Sequence, residues 1–450
     1  DSRYKRIIGK SAKLPIQERD IPVIADRRIE KGFGTGAVKI TPAHDMLDAE
    51  IGRDHDLPSP QVIGEDGKMT AEAGALCAGL SAMDCRVKVV EELEKRGLIE
   101  KIEEYTHNVA RCYRCNSVIE PIPSLQWFLK MGELAKLATQ AVKNGDVRFH
   151  PKRFEKPYLA WLKTINDWTL SRQIWWGHKI PIEGETDVLD TWFSSALWPF
   201  ATLGWPEKSR DLKAFYPTAV LSTARDIINL WVARMVYSGL FFTKKPPFHD
   251  VIIHGTILTR EGKRMSKSLG TGIDPLVLIE RYGADATRFA VIWQAMGGQD
   301  IRWADTSLLA GKKFLNKIWN ASRFVLEQTR DAALPENMKP QTAADKAILA
   351  ALKKVKRAAS RHIDAYEFGL ALHELYEFFW HQFCDTYLEA AKKQMEDEKL
   401  RKTTASTLLG VLSDSLKLLH PFLPHLTEAI WGEVPASSKT MLIIESWPKP

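Results

Sequence analysis

The run Asp250-Val251-Ile252-Ile253-His254-Gly255 leads into a cationic loop, residues 261–270, and then into apolar residues at helical spacing from Asp274-Pro275 to about Gln294. The run is short, β-branched and closed by glycine, which fits a buried strand of a parallel sheet and so an α/β architecture. The loop carries Lys263, Arg264 and Lys267 with the small hydroxyls of Ser266 and Ser268. A strand, a loop of cations and hydroxyls, then a helix is the layout needed to grip and release a polyphosphate. Charge alone is met equally well by a solvated surface loop.

Bulk properties set the limits around this stretch. A chain of 450 residues holds roughly two to four domains with sizeable cores. Hydrophobic residues make up 45% and charged residues 26%, and no stretch offers the ~18 uncharged apolar residues a membrane span needs. The excess of 63 Lys+Arg over 56 Asp+Glu, a net +7, suits a polyanionic partner without requiring one. Fifteen Trp imply large packed interiors and stacking pockets. Five Cys, an odd number spread over a long chain, argue against a disulfide framework and for a reducing, cytoplasmic setting. The first residues hold neither Met nor an apolar leader, so the chain reads as starting within a longer one.

Residues 1–120 are dense in short β-like runs such as Ile21-Pro22-Val23-Ile24-Ala25 and Gly36-Ala37-Val38-Lys39-Ile40, which predicts a small β-rich domain with a few helices. Gly32-Phe33-Gly34-Thr35-Gly36-Ala37 matches the Gly-x-Gly-x-x-Ala fingerprint, but the strand-like, Pro-ended Val38-Lys39-Ile40-Thr41-Pro42 follows where a dinucleotide site needs a helix. A nucleotide is therefore excluded there. Asp45 is placed to cap a helix from Met46 to about Arg53, with Asp48 in its first turn favoured by the helix dipole. Residues 85–105 read as a helix with one apolar face.

Cys112 and Cys115 form a single Cys-x-x-Cys. A structural zinc site needs four ligands, and His107 is the one other local donor, so a reduced pair is the main reading and a metal the lesser one. A thioredoxin-like redox role lacks its βαβ setting.

From about 121 to 305 the segments lengthen and carry most of the Trp. Three blocks stand out: Ser171-Arg172-Gln173-Ile174-Trp175-Trp176-Gly177-His178; Asp187-Val188-Leu189-Asp190-Thr191-Trp192-Phe193-Ser194-Ser195; and Asp226-Ile227-Ile228-Asn229-Leu230-Trp231. Any one of these Trp would serve as plain core. From 306 to 450 the chain reads as all-helical, with stripes Leu372, Tyr376, Phe379, Phe383, Tyr387 and Leu408, Leu412, Leu416, Leu419 before Pro421. Lys353, Lys354, Lys356, Arg357 and Arg361 form a basic segment that suits phosphates or simply a solvated face.

The order Arg264-Met265-Ser266-Lys267-Ser268 resembles the KMSKS loop of class I aminoacyl-tRNA synthetases, and the Trp-Trp-Gly-His block resembles the valyl-tRNA synthetase family within them. The stretch from Gly34 to Asp48 is similar to that family's editing pocket, and Trp319-Asn320-Ala321 with His420-Pro421-Phe422-Leu423-Pro424 to its anticodon-binding helices. The resemblance implies a multidomain α/β protein: a partial β-rich editing domain over 1–120, the second half of a Rossmann-like class I catalytic domain over 121–305, and an all-α anticodon-binding bundle over 306–450. It further implies ATP with Mg2+ as substrate, valine and tRNA(Val) as partners, activation of valine followed by transfer to tRNA, and hydrolytic editing of threonyl-tRNA. Carried over to this sequence, Arg264, Ser266 and Lys267 are catalytic, while His254, Gly255, Lys263, Met265 and Ser268 bind ATP. Trp192, Ile227 and Trp231 shape the valine pocket and Asp226 binds its ammonium; Lys39, Thr41, Asp45 and Asp48 line the editing site.

These residue types suit those roles. A slot for a β-branched side chain needs rigid walls and one anion for the amine, and a pocket preferring threonine over isosteric valine needs polar partners for the extra hydroxyl. The sequence departs from the family at Arg264 for the usual Lys, at Thr271 for the usual Asn, and at residues 183–186, where a longer insertion often carries Cys pairs. That short segment weakens the case for zinc. No two of the twelve His are three apart, so the family's His-x-Gly-His half of the nucleotide fold is expected to lie upstream. The chain alone is then expected to be inactive as a ligase, with a trans-acting editing deacylase or a non-catalytic tRNA-binding fragment as alternatives.

Overall fold

The computed structural model describes residues 2–32, 34–112, 115–265, 270–330, 339–435 and 440–449. They form two compact units, Asp1–Gln126 and Trp127–Pro450.

In the first unit, strands Ser11–Lys13 and Asp20–Pro22 pair antiparallel. The strand expected at residues 36–40 is not formed: that run finds no ladder partner among the described residues and stays irregular, since a lone extended run gains no hydrogen bonds to offset its ordering. Helix Met46–Asp54 begins at Asp45, whose side chain accepts from the backbone N–H groups of Leu47 and Asp48. Helix Ala82–Lys95 begins at Ser81, which accepts from the Asp84 N–H. The expectation of reduced cysteines needs correction here. Cys77 and Cys85 are joined as a disulfide with Cα atoms 5.0 Å apart, because the turn before Ser81 folds Cys77 back onto Cys85, the one buried residue of that helix. An odd cysteine count argues against full pairing, not against one local bridge.

The second unit contains the predicted parallel sheet. Strand Phe248–His254 is central, flanked in parallel by Arg148–His150 and Thr218–Ala224. Phe248, Val251 and Ile253 are fully buried, as a strand covered on both faces requires. Helices Gly132–Lys143 and Ala233–Thr243 share a core with the sheet through Ala135, Ala138, Val142, Val236 and Phe149. The helical spacing after Asp274 resolves into two helices, Pro275–Tyr282 and Ala284–Gln294, because Gly283 sits at φ +90°. Asp274 caps the first by accepting from the Leu276 N–H.

Beyond residue 305 come helices Thr306–Thr329, Ala343–Asp364, Phe368–Glu377, Leu388–Gln394, Glu398–Leu419 and Pro424–Trp431, with wider i→i+5 turns over Phe378–Tyr387. Leu372, Phe379, Phe383, Leu408, Leu412, Leu416 and Leu419 lie in one core, each buried side chain contributing ~1.5–3 kcal/mol. Two buried carboxylates tie this bundle to the α/β part. Asp285 accepts from the N–H groups of His425 (3.3 Å) and Leu426 (2.7 Å) at the start of Pro424–Trp431. Asp250, in the central strand, accepts from Arg148 (2.8 Å) and Tyr366 (3.3 Å) and lies 2.7 Å from His150 Nε2. Among the described residues no helix is long and apolar enough to cross a membrane.

Candidate active site

Two adjacent parallel strands end together, with Ala224 opposite His254. Arg225-Asp226-Ile227 follows one and Gly255-Thr256 the other, so residues 30 positions apart in sequence share the carboxyl edge of the sheet, where open α/β folds bind ligands. Asp300 fixes this edge from a third segment. Its carboxylate accepts from the Thr256 N–H (3.0 Å) and from Arg225 (2.6 Å); these bonds hold its pKa below the usual carboxylate range. Gly255 is required by space: a Cβ there would meet the Gln299 carbonyl oxygen at 1.9 Å.

The chain then turns through Ile257–Leu258, which pairs in parallel with Ile301–Arg302. Between Thr259 and Lys263 it makes a tight turn, the Thr259 N–H donating to the Lys263 carbonyl at 2.8 Å and Gly262 sitting at φ +83°. Arg264 is thereby bridged to Leu258, and its Nη1 lies 2.9 Å from Asp226 Oδ2. Met265 packs against the small core of Trp303 and Leu308. Lys263 is exposed. Ser266, Lys267 and Ser268 lie outside the described residues.

The two Trp expected to flank the site are joined. Helix Thr191–Ala196 carries Trp192 and Ser195, and the Ser195 carbonyl accepts from Trp231 Nε1 at 3.1 Å. Trp231 stands in an i→i+5 turn, Ile228–Val232, directly after Ile227; such widened turns recur at functional sites. Beneath them the buried Asp190 caps the Trp192 helix (3.0 Å), and accepts from Trp168 Nε1 (3.0 Å) and Arg172 (2.5 Å). Neither Asp190 nor Asp300 was legible as a supporting residue, because their partners are up to 75 positions away and no local spacing marks them.

The four residues of the candidate editing group lie in the first unit. Asp48 accepts from the Thr41 N–H at 2.7 Å, and lies close enough to Lys39 to oppose the desolvation that pushes the Lys39 pKa down. Asp45 uses Oδ1 to cap its helix and lines a cavity with Pro42, Met46 and Arg53.

The Cys-x-x-Cys pair sits in a turn closed by the Cys112 N–H donating to the Ser117 carbonyl at 2.9 Å. Cys115 Sγ is exposed, 3.3 Å from Ser117 Oγ, and its pKa is lowered to about 7, chiefly by that hydroxyl. Burial pushes the Cys384 thiol up to about 12. Iodoacetamide should therefore modify Cys115 with a rate that rises through about pH 7, while Cys384 stays unmodified in the native chain. Site-resolved mass spectrometry checks this; Cys384 labelling as fast as Cys115 would contradict it. Among the described residues no three His, Cys, Asp or Glu side chains come together to hold a metal.

Comparison with known proteins adds a family match. The model of tRNA synthetases class I (I, L, M and V) matches residues 53–184 and 182–304. The chain belongs to this class I synthetase family. The model of the anticodon-binding domain of tRNA ligase matches residues 345–450. Among relatives of these class I synthetases, the valine–tRNA ligase of Clostridium tetani is 45% identical over 481 residues, covering 100% of this chain and 54% of the relative. That of Carboxydothermus hydrogenoformans is 47% identical over 479 residues with the same coverage. The chain thus spans about half the length of the curated relatives it matches. A crystal structure of Mycobacterium tuberculosis methionyl-tRNA synthetase bound by methionyl-adenylate shares the fold, with TM-score 0.61 and 19% identity over 74% of this chain and 69% of that one.

Proposed function

We propose that the chain supplies one side of the active site of a valine–tRNA ligase, which activates valine with ATP and transfers it to tRNA(Val). The observation that carries the reading is that the segments of Asp226 and His254 follow adjacent parallel strands at one carboxyl edge, with Arg264 on Asp226 and Trp231 bonded to the helix that carries Trp192. Full-length similarity of this chain to valine–tRNA ligases supports the choice of amino acid.

In this reading Asp226 takes the α-ammonium, and Trp192, Ile227 and Trp231 wall the branched side chain. The valine carboxylate attacks the α-phosphate of Mg2+-bound ATP and pyrophosphate leaves. Arg264, which lies on Asp226, and Lys263 from the same turn would neutralise the charge that develops on the leaving group. Lys267 with Ser266 and Ser268 would extend that grip, and His254 and Gly255 would meet the adenosine. Residues 121–305 form the catalytic part and 306–450 the anticodon-binding bundle. In the bundle Lys353, Lys354, Arg357 and Arg361 are exposed to meet phosphates, whereas Lys356 is tied to Asp414. Lys39, Thr41, Asp45 and Asp48 form part of the editing site for threonyl-tRNA.

The reaction also needs a His-x-Gly-His segment, which the twelve His here do not form. The test is valine-dependent ATP–pyrophosphate exchange, measured with the chain alone and with the His-x-Gly-His half of a related ligase added in trans. Exchange is expected only with both present, and is expected to fall about 100-fold or more in Asp226→Asn, the loss of one charge-assisted anchor in a closed site. Exchange that ignores Asp226 would overturn the assignment.

A further inference from the structure

We propose that Arg264 is a built-in competitor for the ammonium-binding carboxylate, so that an amino acid entering the site must displace this guanidinium from Asp226. The inference rests on the reading of Asp226 given above and adds a coupling to it. The pair is real in geometry and open to exchange. Arg264 Nη1 lies 2.9 Å from Asp226 Oδ2, and the two side chains are 74% and 44% exposed. Water and a small ammonium therefore reach both partners.

The surroundings direct the guanidinium to that carboxylate. Arg225, the nearest cation in sequence, is turned away to Asp300 at 2.6 Å. The bridge to Leu258 and the turn from Thr259 to Lys263 fix the Arg264 backbone, so displacement asks only for a side-chain rotation. A carboxylate that carries a guanidinium has its charge neutralised, and a second cation brought to it meets repulsion. Binding of the amine thus frees Arg264 to meet the phosphate oxygens of bound ATP. Linkage makes the effect reciprocal: whatever draws Arg264 away raises affinity for the amine by the same factor. Arginine in place of the family's usual lysine suits this role, since its planar fork matches a carboxylate better than an ammonium does.

The test is calorimetric titration of L-valine into the full chain, its Arg264→Gln variant and its Arg264→Lys variant, each with the His-x-Gly-His half of a related ligase present. Arg264→Gln should bind valine about two- to fivefold more tightly, the range an exposed ion pair commands, with Arg264→Lys between. 2-Hydroxy-3-methylbutanoate, which lacks the ammonium, should show no such gain. Equal or weaker valine binding in Arg264→Gln overturns the proposal. A second measurement needs no ligand: tryptic cleavage after Arg264, followed by mass spectrometry, in the native chain and in Asp226→Asn. Faster cleavage in Asp226→Asn supports the pairing, and an unchanged rate overturns it. If no form of the chain binds valine while Asp226→Asn is cleaved faster, the amino-acid reading fails and the Arg264 contact stands.

Discussion

Gly255→Ala is expected to cost about 3 kcal/mol or more, the upper part of the range for forced overpacking, and so to lower the unfolding midpoint of the second unit by roughly 4 °C or more. The new Cβ would lie 1.9 Å from the Gln299 carbonyl oxygen and 2.8 Å from its carbon. Both are backbone atoms, so no side-chain rotation relieves the clash. The opposing segment cannot easily retreat: Gly298 sits at φ +70°, and a Cβ there would itself come within 2.5 Å of the Ile253 oxygen. Withdrawal of Gln299 would also pull Asp300 from the Thr256 N–H and from Arg225. Those contacts border Asp226, so in the proposed valine site amino-acid affinity should fall together with stability. Gly410→Ala is the control. It lies in helix Glu398–Leu419 with no atom within 4 Å of its prospective Cβ, and should be neutral or stabilising by ~0.5–1 kcal/mol. Thermal unfolding of the two variants decides the matter; a Gly255→Ala chain that melts with the native one would show that the two backbones are not interlocked.

The parallel strand, the helix stripes and their stops could be read in the sequence because each is a local pattern. Val251 and Ile253 mark a covered strand, and Leu408 to Leu419 mark a helix face whose burial follows from spacing alone. The strand expected at residues 36–40 failed for the complementary reason: β-branched content favours extension, but a strand exists only where a partner supplies its hydrogen bonds. The disulfide between Cys77 and Cys85 was hidden by counting cysteines along the chain when proximity is set by one turn.

The candidate site divides in the same way. Trp192, Asp226, Ile227, Trp231, His254 and Arg264 were named from motif order, and the sheet register explains why the segments at 224–227 and 254–255 meet. What no motif conveyed was that Arg264 lies on Asp226, two residues expected to serve different substrates. Nor did any spacing point to the carboxylates beneath them. Asp300 and Asp190 each gather donors from separate segments, and such convergence is a property of the fold, invisible to periodicity.

Asp190→Ala should destabilise the second unit by about 2–4 kcal/mol, adding an orphaned indole N–H at ~1–3 to a lost helix cap at ~1. Trp168 is buried, so water cannot replace the acceptor its Nε1 loses. Arg172 contributes less, because its side chain is 40% exposed and can be resolvated. Helix Thr191–Ala196 is six residues long and starts at Asp190, so little besides the cap and packing holds its first turn. Trp192 lies in that turn, and Ser195 of the same helix anchors Trp231. Loss of Asp190 should therefore loosen Trp192 and Trp231 and, if these wall the proposed valine site, weaken valine binding beyond what global instability explains. Asp190→Asn keeps one acceptor of two: Oδ1 takes the Trp192 N–H, whereas Oδ2 takes Trp168 and Arg172, so the single amide oxygen can serve the cap or the indole but not both, and this variant should be destabilised less than Asp190→Ala without being spared. Denaturant unfolding and valine titration of both variants test this. An Asp190→Asn chain as stable as the native one would show that the two acceptor positions are not what holds the walls in place.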